Sequence, residues 1–248
     1  MATRFKHDAE EKTRGTPAGK TVKVGRHDAY LALANSEVER KKSGILYVPD
    51  VLGIRQDSML LADQFAAAGY TTLIIDLYNG DALKVEEVPG LDLQAWIQTG
   101  RNGSGPHTPT EIDPIVREAA SYMKTDLGVE RIGAVGFSFG SKYVVRHLGS
   151  GIQVAYVAYP SFVDDEELAA IGGPLSIAAA ETETIFSLEK RIRAEEILRQ
   201  NGNVYQINLF SGVSHGFAVT CDLGNRRERF GKEQAFKQAV EFFDYWLI

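Results

Sequence analysis

The chain has 248 residues, 44% of them hydrophobic, 10% aromatic and 24% charged. That apolar content excludes a disordered chain, and a domain this long buries roughly 70–75% of its unfolded surface without needing a disulfide or a structural metal. The 27 basic and 33 acidic residues leave a net charge of −6, and the bases are scattered among acids rather than gathered on one face, which argues against a nucleic-acid partner.

Residues 1–15 are polar and are expected to form a loose arm, with residues 16–248 as one domain. The opening MATRFKHDAEEKTRGTPAGK has no apolar core of the kind a signal peptide needs, so a cytoplasmic protein is expected. Two modest strands follow, Thr21–Val24 and Ala29–Leu33, then a buried-strand run at Gly44–Val48. Gln56–Ala68 carries apolar residues at helical spacing up to Gly69, and Thr71–Leu77 is a second apolar strand. Residues 80–110 have no clean period and hold several Gly and Pro; a stretch that long between sheet elements reads as a lid over a site or as a surface excursion. Ile115–Thr125 is a helix closed by Gly128, Arg131–Val135 a strand, and Ser138–Leu148 a helix ended by Gly149. Val154–Ala158 and Leu175–Ala179 are strands, Leu188–Gln200 a charged amphipathic helix and Val204–Leu209 a strand. Lys232–Leu247 closes the chain as a helix with Phe236, Val240, Phe243 and Trp246 near one face. Continuous apolar strands alternating with helices predict an α/β fold: a mainly parallel, doubly wound sheet of about six strands plus the early antiparallel pair, with helices on both faces. The uncharged run Ala169–Ala180 is interrupted by Gly172, Gly173 and Pro174 and is too short to span a membrane. Cys221 is the one cysteine, which excludes an intrachain disulfide and a cysteine-rich metal site; a structural thiol is expected there.

The sharpest chemical signal is Gly136-Phe137-Ser138-Phe139-Gly140, a G-x-S-x-G pattern directly after a strand and directly before a helix. A serine on such a turn is held in a strained conformation. Its neighbours two residues away must be small because a Cβ there would collide with strand or helix. The helix N-terminus then presents free N–H groups to a developing oxyanion. A serine hydroxyl needs a base within hydrogen-bond reach. Of the five histidines, His7 is in the arm, His27 follows the first strand, His107 is in the lid and His147 is late in a helix. His215 alone sits in a glycine-flanked loop past the last strand, at the sheet edge where ligands bind in doubly wound folds. Hydrolases of this architecture run Ser, acid, His along the chain, which places the acid at Glu181 or Glu183, just past the strand Leu175–Ala179. Asp164, Asp165 and Glu166 read better as a helix N-cap cluster. A second oxyanion amide is expected in Pro49–Gly53, and Val51 and Phe139 are the chosen pair. Asp50 either orients the nucleophile or a substrate hydroxyl, or simply caps the next helix.

These residues resemble the dienelactone hydrolase family, particularly its fungal-type members, from about Gly15 to the C-terminus. The carrying segments include Gly15-Thr16-Pro17-Ala18-Gly19, Asp50-Val51-Leu52-Gly53, Leu61-Ala62-Asp63-Gln64-Phe65, the Ser138 pentapeptide, Ala180–Phe186 and Gly212–Ala218. The resemblance implies an α/β-hydrolase fold with nucleophile Ser138, acid Glu183 and base His215, and puts Asp50 where the family has an acidic residue near the nucleophile. Three departures stand out. Ser138 replaces the family's usual cysteine, which increases dependence on the base. Glu183 replaces an aspartate. Val219 stands where bacterial members have a carboxylate-binding arginine, so with Phe137 and Phe139 it is expected to make the pocket apolar. The expected function is hydrolysis of an ester, lactone or thioester of a mid-sized apolar small molecule through an acyl-enzyme, with no cofactor and no metal. Alternative readings are a cyclase, isomerase or dehydratase on the same scaffold, or a ligand-binding module with a dead site.

Overall fold

The computed structural model describes residues 15–35, 39–40 and 42–247; all but the last residue of the expected N-terminal arm, His7 included, lie outside them. Eight strands form one sheet in the order β1-β2-β4-β3-β5-β6-β7-β8. The strands are β1 Lys20–Val24, β2 His27–Ala32, β3 Ser43–Val48, β4 Thr71–Ile75, β5 Arg131–Phe137, β6 Val154–Ala158, β7 Leu175–Thr182 and β8 Tyr205–Ser214. β1 and β2 are antiparallel to each other and β2 is antiparallel to β4, whereas every pairing from β4 through β3 to β8 is parallel.

The continuous apolar runs follow from this arrangement, because a parallel sheet is covered on both sides. Helices α1 (Gln56–Ala67) and α7 (Arg226–Trp246) cover one face, packing on Tyr47, Ile74 and Phe137 among others. Helices α2 (Leu93–Thr99), α3 (Pro109–Thr125), α4 (Phe139–His147), α5 (Asp165–Ala169) and α6 (Leu188–Asn201) supply the other face, over Leu46, Ala134 and Val157. The α/β fold expected from the sequence is therefore the fold observed.

Several boundaries differ from the sequence reading, each for a local reason. Helix α3 starts at Pro109, not Ile115: proline at the first helical position loses no hydrogen bond, Thr108 and Glu111 form a capping box, and the helix runs through Pro114. Helix α7 starts at Arg226, where the Asn225 side chain accepts from the Arg227 amide at 3.0 Å. Its inward face is centred on Ala235, Ala239, Phe242 and Phe243, while Trp246 is 40% exposed. Strand β8 runs five residues beyond Leu209, so His215 follows it directly. Asp164 does cap a helix, the short α5, in a reciprocal arrangement with Glu167.

The strand order reverses at β3, which has β4 on one side and β5 on the other. Val48 of β3 is paired with Gly136 of β5. The turns leaving these two strands therefore stand side by side at the carboxyl edge of the sheet, where doubly wound folds place ligands.

Candidate active site

Ser138 occupies the turn between β5 and α4 with φ 49° and ψ −115°, a left-handed conformation that a non-glycine residue adopts only under constraint. The constraint is visible in the two flanking glycines. A Cβ on Gly140 would lie 2.2 Å from the Val48 carbonyl oxygen and 2.5 Å from that of Pro49, and one on Gly136 would lie 2.8 Å from Ser141 Cα. The Ser138 amide donates to the Ala158 carbonyl at the end of β6, 3.2 Å away.

His215 brings its Nε2 to 2.8 Å from Ser138 Oγ and its Nδ1 to 2.6 Å from Glu183 Oε2. With Nδ1–H donating to the carboxylate, Nε2 is free to accept the serine hydroxyl proton. The other carboxylate oxygen, Oε1, accepts from the amides of Thr184 and Ile185, each at 2.8 Å. The side chain of Glu183 is only 3% exposed. Burial opposes its charge, yet the hydrogen bond and charge of His215 and the two amides together hold the carboxyl below its ordinary range. Glu181 is the carboxylate that does not reach the histidine. It lies at a register shift between β7 and β8, and its Oε2 accepts from the Gly212 amide at 2.7 Å. The other described histidines are engaged elsewhere: His27 with Asn79, His107 with Asp81 and His147 with Asp113.

The Phe139 amide opens α4, where first-turn N–H groups have no intrahelical acceptor. Val51 lies in the turn after β3, and its carbonyl accepts from the Leu83 amide at 2.9 Å. Among the described residues neither the Val51 nor the Phe139 amide is given to another acceptor. Asp50 shapes this turn rather than capping α1, whose N-cap is Arg55. Its Oδ1 accepts from the Leu52 amide at 2.9 Å, and its carbonyl accepts from Gly53 N and from the Tyr78 hydroxyl.

Two expected pocket residues prove to be core. Phe137 is 1% exposed, its ring 4.8 Å from that of Tyr47, because strand alternation turns it with Val135 toward α1 and α7. Val219 is likewise 1% exposed, and its carbonyl accepts from Lys232 Nζ. The Phe139 side chain is also buried, against Tyr143, Tyr78, Trp96 and Phe162. Cys221 is buried too, and burial pushes its thiol up.

Sequence reasoning missed three further contributors. Ser161, 1% exposed, places its Oγ 3.1 Å from Ser138 Oγ and donates its amide to the Ser138 carbonyl. Arg55 joins the β3 turn to the His215 loop: its Nη1 donates to Asp57 at 2.7 Å and to Thr220 at 2.8 Å, while its Nη2 lies 3.5 Å from Asp50. Asp81 gathers the excursion over residues 81–107. Its carboxylate accepts from Trp96 Nε1 and from the Arg101 amide and Nε, and lies 2.7 Å from His107 Nε2. Burial again opposes the charge, but these donors hold Asp81 far below the ordinary carboxylate range. Trp96 and Tyr78 then pack near Phe139, so the excursion rests against the start of α4. None of the three has a periodic or motif signal; only Ser161, beside the loop after β6, could have been suspected from position.

Among the described residues no group of three or more His, Cys, Asp or Glu could hold a metal ion, and no helix is long and apolar enough to cross a membrane.

Comparison with known proteins follows the same lines. The chain is 41% identical over 94% of its length to the hydrolase pyvD of Aspergillus violaceofuscus, covering 92% of that protein. It is 44% identical over 82% of its length to the hydrolase tropI of Talaromyces stipitatus, again covering 82%. In structure it resembles a dienelactone hydrolase from Anabaena variabilis with a TM-score of 0.65 at 16% identity, over 93% of this chain and 97% of that one. The profile of the Dienelactone hydrolase family matches residues 27–247. A serine on a strained strand-to-helix turn, a mostly parallel sheet of eight strands and a match over nearly the whole chain converge: this chain belongs to the dienelactone hydrolase family, whose members are ester- and lactone-type hydrolases.

Proposed function

We propose that Ser138 is the nucleophile of an acyl-enzyme mechanism acting on an ester, lactone or thioester of an apolar small molecule. The observation that carries this reading is the unbroken chain from Ser138 Oγ to His215 Nε2, 2.8 Å, and from His215 Nδ1 to Glu183 Oε2, 2.6 Å. His215 takes the hydroxyl proton as Ser138 attacks the carbonyl carbon, and the carbonyl oxygen becomes an oxyanion received by the Val51 and Phe139 amides. The tetrahedral species collapses, the leaving group departs with the proton from His215, and an acyl-serine remains. Water, deprotonated by His215, attacks that acyl group and releases the acid with Ser138 restored. Glu183 holds the imidazole tautomer and offsets the positive charge it carries between steps. No cofactor is required. Residues 16–248 act as one domain in this reading, and the Asp81-tied excursion is a fixed cover beside the elbow.

The test is covalent labelling by a fluorophosphonate. We expect one adduct per chain, mapped by mass spectrometry to Ser138 and absent from Ser138→Ala. A folded protein that takes up no label would overturn the mechanism and favour chemistry without an acyl-enzyme.

Ser161 acts on the nucleophile in this scheme by donating to Ser138 Oγ and holding its rotamer over the carbonyl. One lost hydrogen bond is worth about 0.5–1.5 kcal/mol. Ser161→Ala should therefore lower kcat up to about tenfold with KM little changed, and Ser161→Thr, which keeps the hydroxyl, should recover most of it. A change in KM alone would assign Ser161 to substrate binding instead.

A further inference from the structure

A crevice of about 100 Å³ lies between the sheet and helices α5 and α6, apolar within and rimmed by the charged Asp164, Asp165, Lys190 and Arg193. Phe162, Ile185 and Phe186 form one side of it, Val157 of β6 and Ile177 of β7 its floor, and Ala194 of α6 its far wall. Two of these residues adjoin groups that touch the triad. Phe162 follows Ser161, whose Oγ is 3.1 Å from Ser138 Oγ, and the Ile185 amide itself donates to Glu183 Oε1. At the solvent end Asp165 and Arg193, both lining residues, pair at 2.7 Å.

The Phe162 backbone gives an independent reason to regard the crevice as built. Its φ is +59°, a left-handed conformation that a bulky residue keeps only when its surroundings enforce it. The enforcement comes from Lys142 of α4, whose Nζ donates to the Phe162 carbonyl at 2.8 Å and also to Asp164 and Glu167. Held this way, the ring packs 6.1 Å from that of Phe139, at the elbow, while also lining the crevice.

The side of the sheet identifies which part of a substrate it would receive. The His215 ring is 4.7 Å from that of Tyr159, which belongs to the core under α1 and α7. The crevice floor belongs to the core on the opposite face. The leaving group must lie toward His215, its proton donor, so the opposite face is left to the acyl group. Benzene fills a cavity of about 150 Å³, and 100 Å³ by the same measure admits an apolar group of about four carbons.

Resting on the acyl-enzyme reading above, we propose that this crevice is an acyl-chain subsite selecting short apolar acyl groups of about four carbons. With nitrophenyl esters from acetyl to decanoyl, kcat/KM should rise about tenfold from acetyl to butyryl, as two methylenes leave water, and stop rising soon after. Ala194→Met, which fills the crevice, should bring the butyryl-to-acetyl ratio close to one. Ile185→Ala, which widens its mouth, should move the optimum to a longer chain. Turnover with the same ratio and the same optimum in both variants would overturn the subsite. Butyramide and acetamide titrated into the Ser138→Ala protein, followed by the NMR signal of the Ala194 methyl, make the second measurement. A shift with butyramide and not acetamide supports the subsite even where the wild type turns over no ester, a result that would instead defeat the acyl-enzyme reading. No butyramide shift defeats the subsite itself.

Discussion

Ser138→Ala and His215→Ala are each expected to lower kcat on a nitrophenyl acyl ester by on the order of 10⁶-fold, with the double variant no slower than either single one. The reason is that the two side chains act as a unit: a hydroxyl without its base is barely nucleophilic, and a base without the hydroxyl has nothing to activate. Glu183→Gln should fall less, by about 10⁴-fold, because the amide keeps the contact with His215 but favours the wrong tautomer. The surroundings of Glu183 sharpen that expectation. Its carboxylate is 3% exposed and accepts two backbone amides on Oε1, so a glutamine Nε placed there would face donors rather than acceptors. Steady-state kinetics on protein of verified fold checks all three. Activity within tenfold of the wild type in either Ser138→Ala or His215→Ala would remove the mechanism.

Gly140→Ala is expected to damage both stability and activity through a single methyl group. The added Cβ would sit 2.2 Å from Val48 O and 2.5 Å from Pro49 O, and both are backbone atoms of the β3 turn, not the free ends of flexible side chains. Overpacking of this kind costs about 1–3 kcal/mol, so Tm should fall by roughly 2–12 °C for a chain this long. Activity should fall further than stability, because the segment that must move leads into Val51 and its amide. Thermal melts alongside kcat measure both; wild-type values for the two together would show that the elbow and the turn are not in the close contact described.

How much of this was legible in the sequence depended on the range of the forces involved. The inner strands β3 to β7 could be read in order because each is buried and largely apolar along its length, the partly exposed β8 only as far as Leu209, and the elbow because one serine between two glycines sits at a strand-to-helix junction. His215 could be chosen by its place beyond the last strand. What the sequence could not separate was Glu181 from Glu183: the two differ by two residues, and only the register shift between β7 and β8 sends one to Gly212 and the other to His215. Ser161 stayed hidden because Ser138 is 23 residues away along the chain, and the link Arg55 makes to the His215 loop because Thr220 is 165 residues away, beyond any pattern of spacing. Phe137 was misread for the opposite reason. The expected strand stopped at Val135, whereas β5 runs on to Phe137, and alternation then puts Phe137 on the same buried face as Val135.

The knot at Asp81 bears on how such a protein can change. Asp81 and His107 close a segment across 26 positions at its base, and each doubling of a loop's length adds only about 0.6 kcal/mol to the entropy of closing it. At Gly90, inside that segment, a Cβ would meet no atom within 4 Å. Because one carboxylate fastens both ends, residues inserted beside Gly90 would lengthen the span at small thermodynamic cost. Trp96 and Arg101, which the same carboxylate holds, would keep its inner part against the start of α4, so the part of the molecule best placed to diversify is only the outer stretch of the excursion.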